Sequence, residues 1–474
     1  MPSRSHADRQ VRLFPAVVWL RRFGASACAC SSLLLVQVRA DQLVTNATFL
    51  TMKPGDTEAV VGYMHIDDDG RIVALAAGSP PPGVSAATVI DATNKIVLPG
   101  FISAHSHLFQ SALRGLGADQ YVRGWGLAVR VYSVHASDED LYWFTLHGAL
   151  DHLRHGITSV YNFGYGHRAG EYNDDQLRGL LDSGIRFVHS FAQARSEPIE
   201  QQYRSFLRFY EFARPHLNDP KFLRIGISGT AASLEQTKLD KRLMDEFGVF
   251  NETHYLEHPI GKAEQQKLFQ NFVEAGTLGP NQFFGHFIHT NDEMLKATAA
   301  AGSGMSWQPL SNGRLASGIA DIPKYLALGV KVGMGVDGQA SADLPDPFEN
   351  MRVGLYFVRA KNEDASILQP IDILRLHTLG SAEVMGVADR VGSLEVGKFA
   401  DFVVLSPSTG IDRAPVFDPY ATVVFACNSA NIEAVYVGGE KLVDGVELTR
   451  ADMPKISAEV SARVGHLRQL ARKK

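Results

Sequence analysis

Short apolar runs separated by turn residues dominate both ends of the chain. From residue 41 to residue 98 they include "QLVTNATFLTM" and "VVGYMHIDDDGRIVALA", and Asp68-Asp69-Gly70 in the second run is a typical hairpin turn between two strands. Residues 391–446 show the same pattern of short apolar runs and turns in "GSLEVGKFADFVVLS" and "IEAVYVGGEKLVDG". We therefore expect both segments to be β-rich and to meet in one small β-sandwich.

The stretch between these segments, residues 99–390, alternates strand-like apolar runs with longer helical ones. The helical pattern "DLYWFTLHGALDHLRH" is followed by "GITSVYNF", and "IADIPKYLAL" is followed by "GVKVGMGVDG". Such alternation is typical of βα units that build a parallel sheet. The segment is also long enough for a (β/α)8 barrel with insertions. The sequence thus predicts an α/β protein with a TIM-type barrel beside the sandwich.

Residues 447–474 carry a helical pattern. Ile456, Val460, Val464 and Leu467 recur at helical spacing and fall on one stripe. We expect a C-terminal helix that packs through this stripe and exposes its basic end to solvent.

The first forty residues differ from the rest of the chain. Five arginines and the single acid Asp8 precede the run "FGASACACSSLLLVQV", which leads to "VRA" before Asp41. This order is typical of a secretory leader cleaved after Ala40, so we expect export to the periplasm or beyond. Two other interpretations stay open: a mitochondrial transit peptide, and a mis-assigned start codon that would leave the protein in the cytoplasm.

Composition limits the classes of function. The 474 residues are 45% hydrophobic and include 43 glycines, as in a globular α/β protein. A net charge of −5 without a long basic run argues against nucleic-acid binding, and no run of apolar residues is long enough to span a membrane. Three cysteines support neither a disulfide framework nor a cysteine zinc site. A small molecule is the expected partner, and a homo-oligomer is compatible with these features.

The segment "PGFISAHSHLFQSALRG", residues 99–115, places two histidines at the end of an apolar strand. Residues two apart on a strand project from the same face, so His105 and His107 direct two imidazoles at one point. This is a way to hold a divalent metal ion. Alone the pair is weak evidence, because a His-x-His sequence is common by chance.

Three further residues lie at the ends of predicted strands. His254 ends one apolar run, His286 follows one βα unit later, and Asp337 follows about two units after that. Counted from His107, the positions correspond to strands 1, 5, 6 and 8 of a barrel, whose active groups lie at the carboxyl ends of the strands. Each could singly be a buried histidine or a turn aspartate, but their repeated placement favours one common site.

Glu257 follows His254 at an odd offset, so the two cannot share a strand face. We expect Glu257 to lie beyond the strand end and to lean over the metal. Three imidazoles and one carboxylate leave room for a water, whose pKa a metal lowers toward about 7. Glu257 would then act as the general acid and base that carries the proton.

The chain resembles the amidohydrolase superfamily, and within it the cytosine deaminase-like branch, which includes guanine and adenosylhomocysteine deaminases and s-triazine hydrolases. The resemblance covers about residues 41–446 and rests on "PGFISAHSHLFQSALRG", "THYLE", "GHFIH", "PLSNGRLASGIA" and "GVDGQASADLPDPFENMR". It implies a distorted (β/α)8 barrel with a split β-sandwich. It also implies roles for six residues: His105, His107, His254 and Asp337 as metal ligands, Glu257 as proton shuttle, and His286 as the group that orients water or substrate, with Asp337 also accepting a proton.

The predicted fourth strand, "FLRIGISGTAAS", contains no lysine for the carbamate that bridges two metals in some relatives. We therefore expect one divalent ion, zinc or else iron. The same stretch lacks the histidine that purine-type deaminases often carry there, which is a departure that disfavours adenosine-like and guanine-like substrates. Gln110, Arg114 and Trp125 lie on the first loop, where relatives contact substrate.

The sequence predicts metal-dependent hydrolysis of a non-peptide carbon–nitrogen bond, with deamination of a nitrogen-containing ring by a metal-bound hydroxide as the leading reaction. Displacement of halide or alkylamine from a triazine-like ring is the alternative, because the same hydroxide attacks in both reactions. Amide or lactam hydrolysis is a third possibility. A barrel without activity, kept as an assembly module, is the alternative of another class.

Overall fold

The computed structural model describes residues 41–164, 174–407 and 415–472. The predicted leader, residues 1–40, lies outside the described residues. Among those that are described, no helix is long and apolar enough to cross a membrane.

The described strands fall into two sheets. In chain order they are β1 Gln42–Phe49, β2 Val60–Ile66, β3 Ile72–Ala77, β4 Thr88–Asp91, β5 Ile96–Pro99, β6 Phe101–His107, β7 Ile157–Phe163, β8 Arg186–Ala192, β9 Phe222–Ser228, β10 Phe250–Tyr255, β11 Gln282–His286, β12 Gly304–Trp307, β13 Lys331–Met334, β14 Asp337–Gly338, β15 Phe402–Leu405, β16 Ile432–Val437, β17 Glu440–Asp444 and β18 Glu447–Leu448.

The described helices are concentrated between β6 and β15. In chain order they are α1 Val122–Ser133, α2 Asp138–Arg154, α3 Asp174–Ser183, α4 Ile199–Ala213, α5 Leu234–Phe247, α6 Lys262–Lys267, α7 Phe269–Ala275, α8 Asp292–Ala301, α9 Pro309–Arg314, α10 Ile322–Ala327, α11 Pro347–Asn362, α12 Pro370–Leu376, α13 Leu379–Val384, α14 Pro419–Ala421 and α15 Met453–Ala471.

Strands from residues 42–99 and from residues 402–448 form one sheet, so the two β-rich segments meet as the sequence predicts. Its order is β18-β17-β16-β15-β5-β1-β2-β3, with β4 paired to β1. The two ends join where β5 and β15 pair antiparallel, with Leu98 opposite Val403. Alternating apolar residues on these strands, including Phe49, Phe402 and Tyr436, are buried in a core of their own. The hairpin predicted at Asp68-Asp69-Gly70 connects the antiparallel pair β2 and β3.

Strands β6 to β14 form the barrel, in the order β13-β12-β11-β10-β9-β8-β7-β6-β14. The pairing of β14 with β6 is parallel and closes the cylinder. The eighth strand is interrupted between β13 and β14, and a side chain on Gly335 would come within 2.8 Å of the His105 backbone. Glycine therefore permits the close approach that carries the chain past β6 at this point. The predicted barrel is confirmed, and this interruption is its clearest irregularity.

The C-terminal helix α15 packs through the apolar stripe that the sequence indicates. Ile456, Val460 and Leu467 are buried, and Arg463 on the same helix donates a hydrogen bond to Asp140 of α2. The short strand β18 precedes the helix and pairs with β17.

Candidate metal centre

The barrel brings the predicted strand-end residues to one place. His105 and His107 lie on β6, His254 on β10, His286 at the end of β11 and Asp337 at the start of β14. In the strand order of the sheet these are strands 1, 5, 6 and 8. The carboxyl ends of parallel strands meet at one face of a barrel, which is where active sites of this architecture lie.

Four of these side chains converge closely enough to share an ion. Ligand atoms of His105, His107, His254 and Asp337 all lie within 4.8 Å of one another. The Nε2 atoms of His107 and His254 are 3.1 Å apart, and Asp337 Oδ1 is 3.4 Å from His105 Nε2 and 3.3 Å from His107 Nε2. Three imidazoles and one carboxylate are a donor set that divalent zinc accepts.

Hydrogen bonds at Nδ1 orient two of the imidazoles. The Nδ1–H of His107 donates to the carbonyl of Phe163 at 3.1 Å, and that of His105 donates to the Glu252 carboxylate. The Nε2 lone pairs therefore face the shared point. His105 Nε2 is buried and has no hydrogen-bond partner among the described residues. A buried lone pair without a donor is costly, and a cation at this point would satisfy it, so the residues fit a divalent metal.

Burial keeps most of the imidazoles neutral, as metal ligation requires. Burial, reinforced by His105, lowers the pKa of His107 to about 4, and burial lowers that of His286 to about 3. His105 differs: burial alone would lower its pKa, but Glu252 and Asp337 outweigh burial and raise it to about 10. The negative charge of the two carboxylates therefore stabilises a positive charge at the ring of His105.

Asp337 is held from two sides. Its Oδ2 accepts a hydrogen bond of 2.5 Å from the Ser311 hydroxyl, and its Oδ1 faces the histidines. Burial alone would raise the pKa of Asp337, but the close contact with His105 and the charge of the surrounding rings keep it well below its ordinary value. Asp337 is therefore an anion that can ligate a cation.

Glu257 faces the same point from outside the group of four. Its Oε2 lies 3.7 Å from His286 Nε2, and its side chain is 14% exposed. Burial, with the charge of Asp337 as the second cause, raises the pKa of Glu257 to about 8. His286 Nδ1 accepts a hydrogen bond of 2.8 Å from the Asn312 amide, which leaves its proton on Nε2, the atom nearest Glu257.

The backbone at these strand ends is strained. Leu256, His286, Phe287 and Asp337 have φ angles of 56°, 70°, 46° and 59°, in the left-handed region that side chains disfavour. Each such residue costs on the order of 1–3 kcal/mol and persists only where the surrounding structure enforces it. Here the strain turns the ends of three strands toward the centre.

A cavity of about 610 Å³ opens above the centre. One wall belongs to α1, which contributes mostly apolar side chains, and the floor is polar. The lining residues are His107, Phe109, Gln110, Val122, Trp125, Gly126, Val129, Arg130, Ser133, Val134, His254, Glu257, His286 and Asp337. The volume is in the range of small-molecule sites.

The three residues predicted to contact substrate divide into two groups. Gln110 and Trp125 line the cavity, and the Trp125 indole donates a hydrogen bond of 2.7 Å to the carbonyl of Ala340. Arg114 is not part of this lining, because its guanidinium binds Asp151 and the Asp343 carbonyl instead. In this structure Arg114 fixes the first loop to the barrel.

Several contributors were not predicted from the sequence. Ser311 and Asn312 orient Asp337 and His286, and Glu252 binds His105. Glu252 had a visible signal, since an acid stands in a buried strand two residues before His254 and so on the same face. Ser311 and Asn312 lie in the segment "PLSNGR", which contributes to the family resemblance, but the sequence does not indicate that they contact Asp337 and His286.

Comparison with known proteins places the chain in a family. The model of the amidohydrolase family matches residues 96–442. A 5-methylthioadenosine/S-adenosylhomocysteine deaminase from Desulforudis audaxviator is 29% identical over 449 residues, with 89% of this chain and 98% of that protein covered. The protein of the same name from Desulforamulus reducens is 25% identical, with 90% and 98% covered.

Two solved structures share the fold. An adenosine deaminase from Xanthomonas campestris with bound zinc is 21% identical at a TM-score of 0.80, with 90% of this chain and 99% of that chain covered. Atrazine chlorohydrolase from Arthrobacter aurescens TC1, complexed with zinc, is 24% identical at a TM-score of 0.79, with 89% and 100% covered. Together with the family match over most of its length, these findings show that the chain belongs to the amidohydrolase family.

Proposed function

We propose that this protein is a metal-dependent hydrolase that removes an amino group from a nitrogen-containing ring. The observation that carries the proposal is that the cavity floor holds a group of metal ligands and, beside it, a separate carboxylate. His105, His107, His254 and Asp337 form a complete ligand group, whereas Glu257 faces the same space without being needed by that group. A spare carboxylate beside a metal group distinguishes a hydrolase from a structural metal site.

His105, His107, His254 and Asp337 would hold one zinc ion, with iron as the alternative. The bound zinc of two solved structures of similar fold supports the choice. When bound, such an ion acts as a Lewis acid that lowers the pKa of a water molecule.

The remaining chemistry belongs to side chains of the chain itself. Glu257 accepts a proton from the attacking water and delivers it to the ring nitrogen, so charge does not accumulate on the ring. The Nε2–H of His286 lies beside Glu257 and can donate a hydrogen bond to the attacking or developing oxygen. Asp337 provides an acceptor for the second proton of the water, which then passes to the amino group, so that the carbon–nitrogen bond breaks and ammonia leaves.

The names of the curated relatives support an adenine-type ring as substrate. The end of β9 argues against an adenine-type ring, because Ser228-Gly229-Thr230 lacks the histidine that purine-type deaminases often carry there. That departure, with the likeness to atrazine chlorohydrolase, favours a second candidate: displacement of halide or alkylamine from a triazine-like ring. A barrel without activity is disfavoured, because every ligand position is filled.

A substrate panel with zinc-loaded protein tests the proposal. Adenosine, 5-methylthioadenosine, S-adenosylhomocysteine, guanine and cytosine are assayed for ammonia, and a chlorinated triazine is assayed for chloride. Ammonia release that stops on chelation and returns with zinc is the expected result. His254→Ala should lose metal and activity together, whereas His466→Ala, on the exposed face of α15, should lose neither. Chloride release without ammonia release would select the second candidate instead.

We further propose that residues 1–40 are an export leader cleaved near Ala40, and that the protein forms a homo-oligomer. The arginine-rich and then apolar order of the leader supports export. Exposed apolar side chains on α1 and directly after it, Leu127, Val131 and Val134, would suit contact between copies. Sedimentation of the purified protein measures the oligomeric state.

A further inference from the structure

The two histidines of the His-x-His pair have different partners at Nδ1. His107 donates to a neutral backbone carbonyl, that of Phe163. His105 donates to the carboxylate of Glu252, a residue 147 positions away in the chain. Both His105 and Glu252 are completely buried. A charged group is costly to bury, so the burial of the Glu252 carboxylate beside the ring of His105 needs an explanation.

The position of Glu252 follows from strand geometry. It lies on β10 two residues before His254, so both side chains point into the barrel. His254 reaches the level of the metal group, and Glu252 lies one layer deeper, behind the ring of His105. Glu252 itself is therefore not among the residues that converge on the shared point.

The neighbouring strand leaves space for this pair. Gly285 on β11 stands opposite His254, and a methyl group there would lie 3.0 Å from Glu252 Oε1 and 3.4 Å from the His105 ring. The other carboxylate oxygen, Oε2, is buried and finds no hydrogen-bond partner among the described residues. The environment thus offers Glu252 one strong interaction, the one with His105.

We propose that Glu252 is a positioning residue that raises the metal affinity of the centre through His105. By accepting the Nδ1–H, the carboxylate fixes the tautomer whose Nε2 lone pair faces the shared point. Its negative charge also makes that lone pair a stronger donor, and a carbonyl such as that of Phe163 does this less well. The inference rests on the proposed function, since it requires that the centre hold a divalent metal.

Glu252→Gln separates charge from shape, because the amide oxygen can still accept the hydrogen bond. The zinc dissociation constant, measured by competition with a chromophoric chelator, should rise by about 10- to 100-fold. Asp240→Asn is the matched control: Asp240 is also buried, but it binds Gln193 and the Thr230 amide, so zinc affinity should stay at the wild-type value.

Gly285→Ala provides a second route to the same pair. The added methyl group pushes on Glu252 without changing its chemistry, and zinc affinity should again fall. The unfolding temperature of the metal-free protein is measured in parallel. A purely structural role would lower that temperature and leave the dissociation constant unchanged, which would overturn the proposal.

Wild-type zinc affinity in either folded variant also overturns it. If the wild-type protein itself bound no divalent metal, the proposed function would fail rather than the role of Glu252. The two failures are therefore distinguishable in one set of titrations.

Discussion

At the scale of single residues, the proposed function assigns metal binding and proton transfer to different groups on the cavity floor. Glu257 approaches His286 and Asp337, but the ligand group of three histidines and Asp337 is complete without it. Burial holds its pKa at about 8, well above that of an ordinary glutamate. A carboxyl group poised near neutrality can both take up and release a proton.

Glu257→Gln tests this role. The amide keeps the size of the side chain but cannot carry the proton, so we expect turnover to fall by about 10²–10⁴-fold. Metal content should stay near the wild-type value, and substrate affinity should change little. Turnover and metal analysis of the same preparation give the answer. Normal turnover would refute the proton-shuttle role, and loss of metal would make Glu257 a ligand.

At the scale of elements, α1 forms one wall of the cavity above the metal group. Its inner face supplies Val122, Trp125 and Val129 to the wall. The Trp125 indole ties the helix to the carbonyl of Ala340, just after β14. The helix that lines the cavity is thereby coupled to the strand that carries Asp337.

Trp125→Phe removes this tie and keeps an aromatic ring in the wall. The Ala340 carbonyl would lose its partner, and an unpaired buried polar group costs about 1–3 kcal/mol. We expect a lower free energy of unfolding and a higher KM, with metal content unchanged. Denaturant unfolding and steady-state kinetics measure these effects.

Trp143→Phe is the control for this variant. The Trp143 indole donates to Glu139 on an exposed surface, where water can replace the lost partner. Its effect on both quantities should be small. An equal effect of the two substitutions would show that the hydrogen bond from Trp125 to Ala340 does not contribute, and that only the volume of the ring matters.

At the scale of the whole molecule, one sheet joins the two chain ends and fixes the barrel between them. β1 lies inside this sheet, bonded to β2, β4 and β5. Asp41, directly before it, accepts a hydrogen bond of 2.7 Å from the Ala87 amide. The sheet therefore already includes the chain at Asp41.

A variant of residues 41–474 should match the full chain in turnover, metal content and unfolding temperature. A variant that begins at Thr51 lacks β1 and should not fold, because the sheet loses an inner strand. If export cleavage occurs, N-terminal sequencing of the native protein should start near Asp41. An intact Met1 would contradict the export proposal, and an inactive 41–474 variant would show that the enzyme needs its first forty residues.

The sequence by itself determined the architecture and most of the centre. Each βα unit encodes its strand in a local apolar run, so the ends of the strands can be counted along the chain. That count placed His105, His107, His254 and Asp337 on strands 1, 5 and 8. It also put Glu257 beyond a strand end, because an odd offset from His254 excludes the shared face.

Only the tertiary structure decided which partners these residues have. The contact between His105 and Glu252 joins positions 147 residues apart, and Arg114 is drawn from the cavity by Asp151 and by the Asp343 carbonyl. The placement of α1 over the metal group is likewise a result of packing. Periodicity records which face of an element is buried, whereas the choice of partner depends on distances between elements that no local pattern contains.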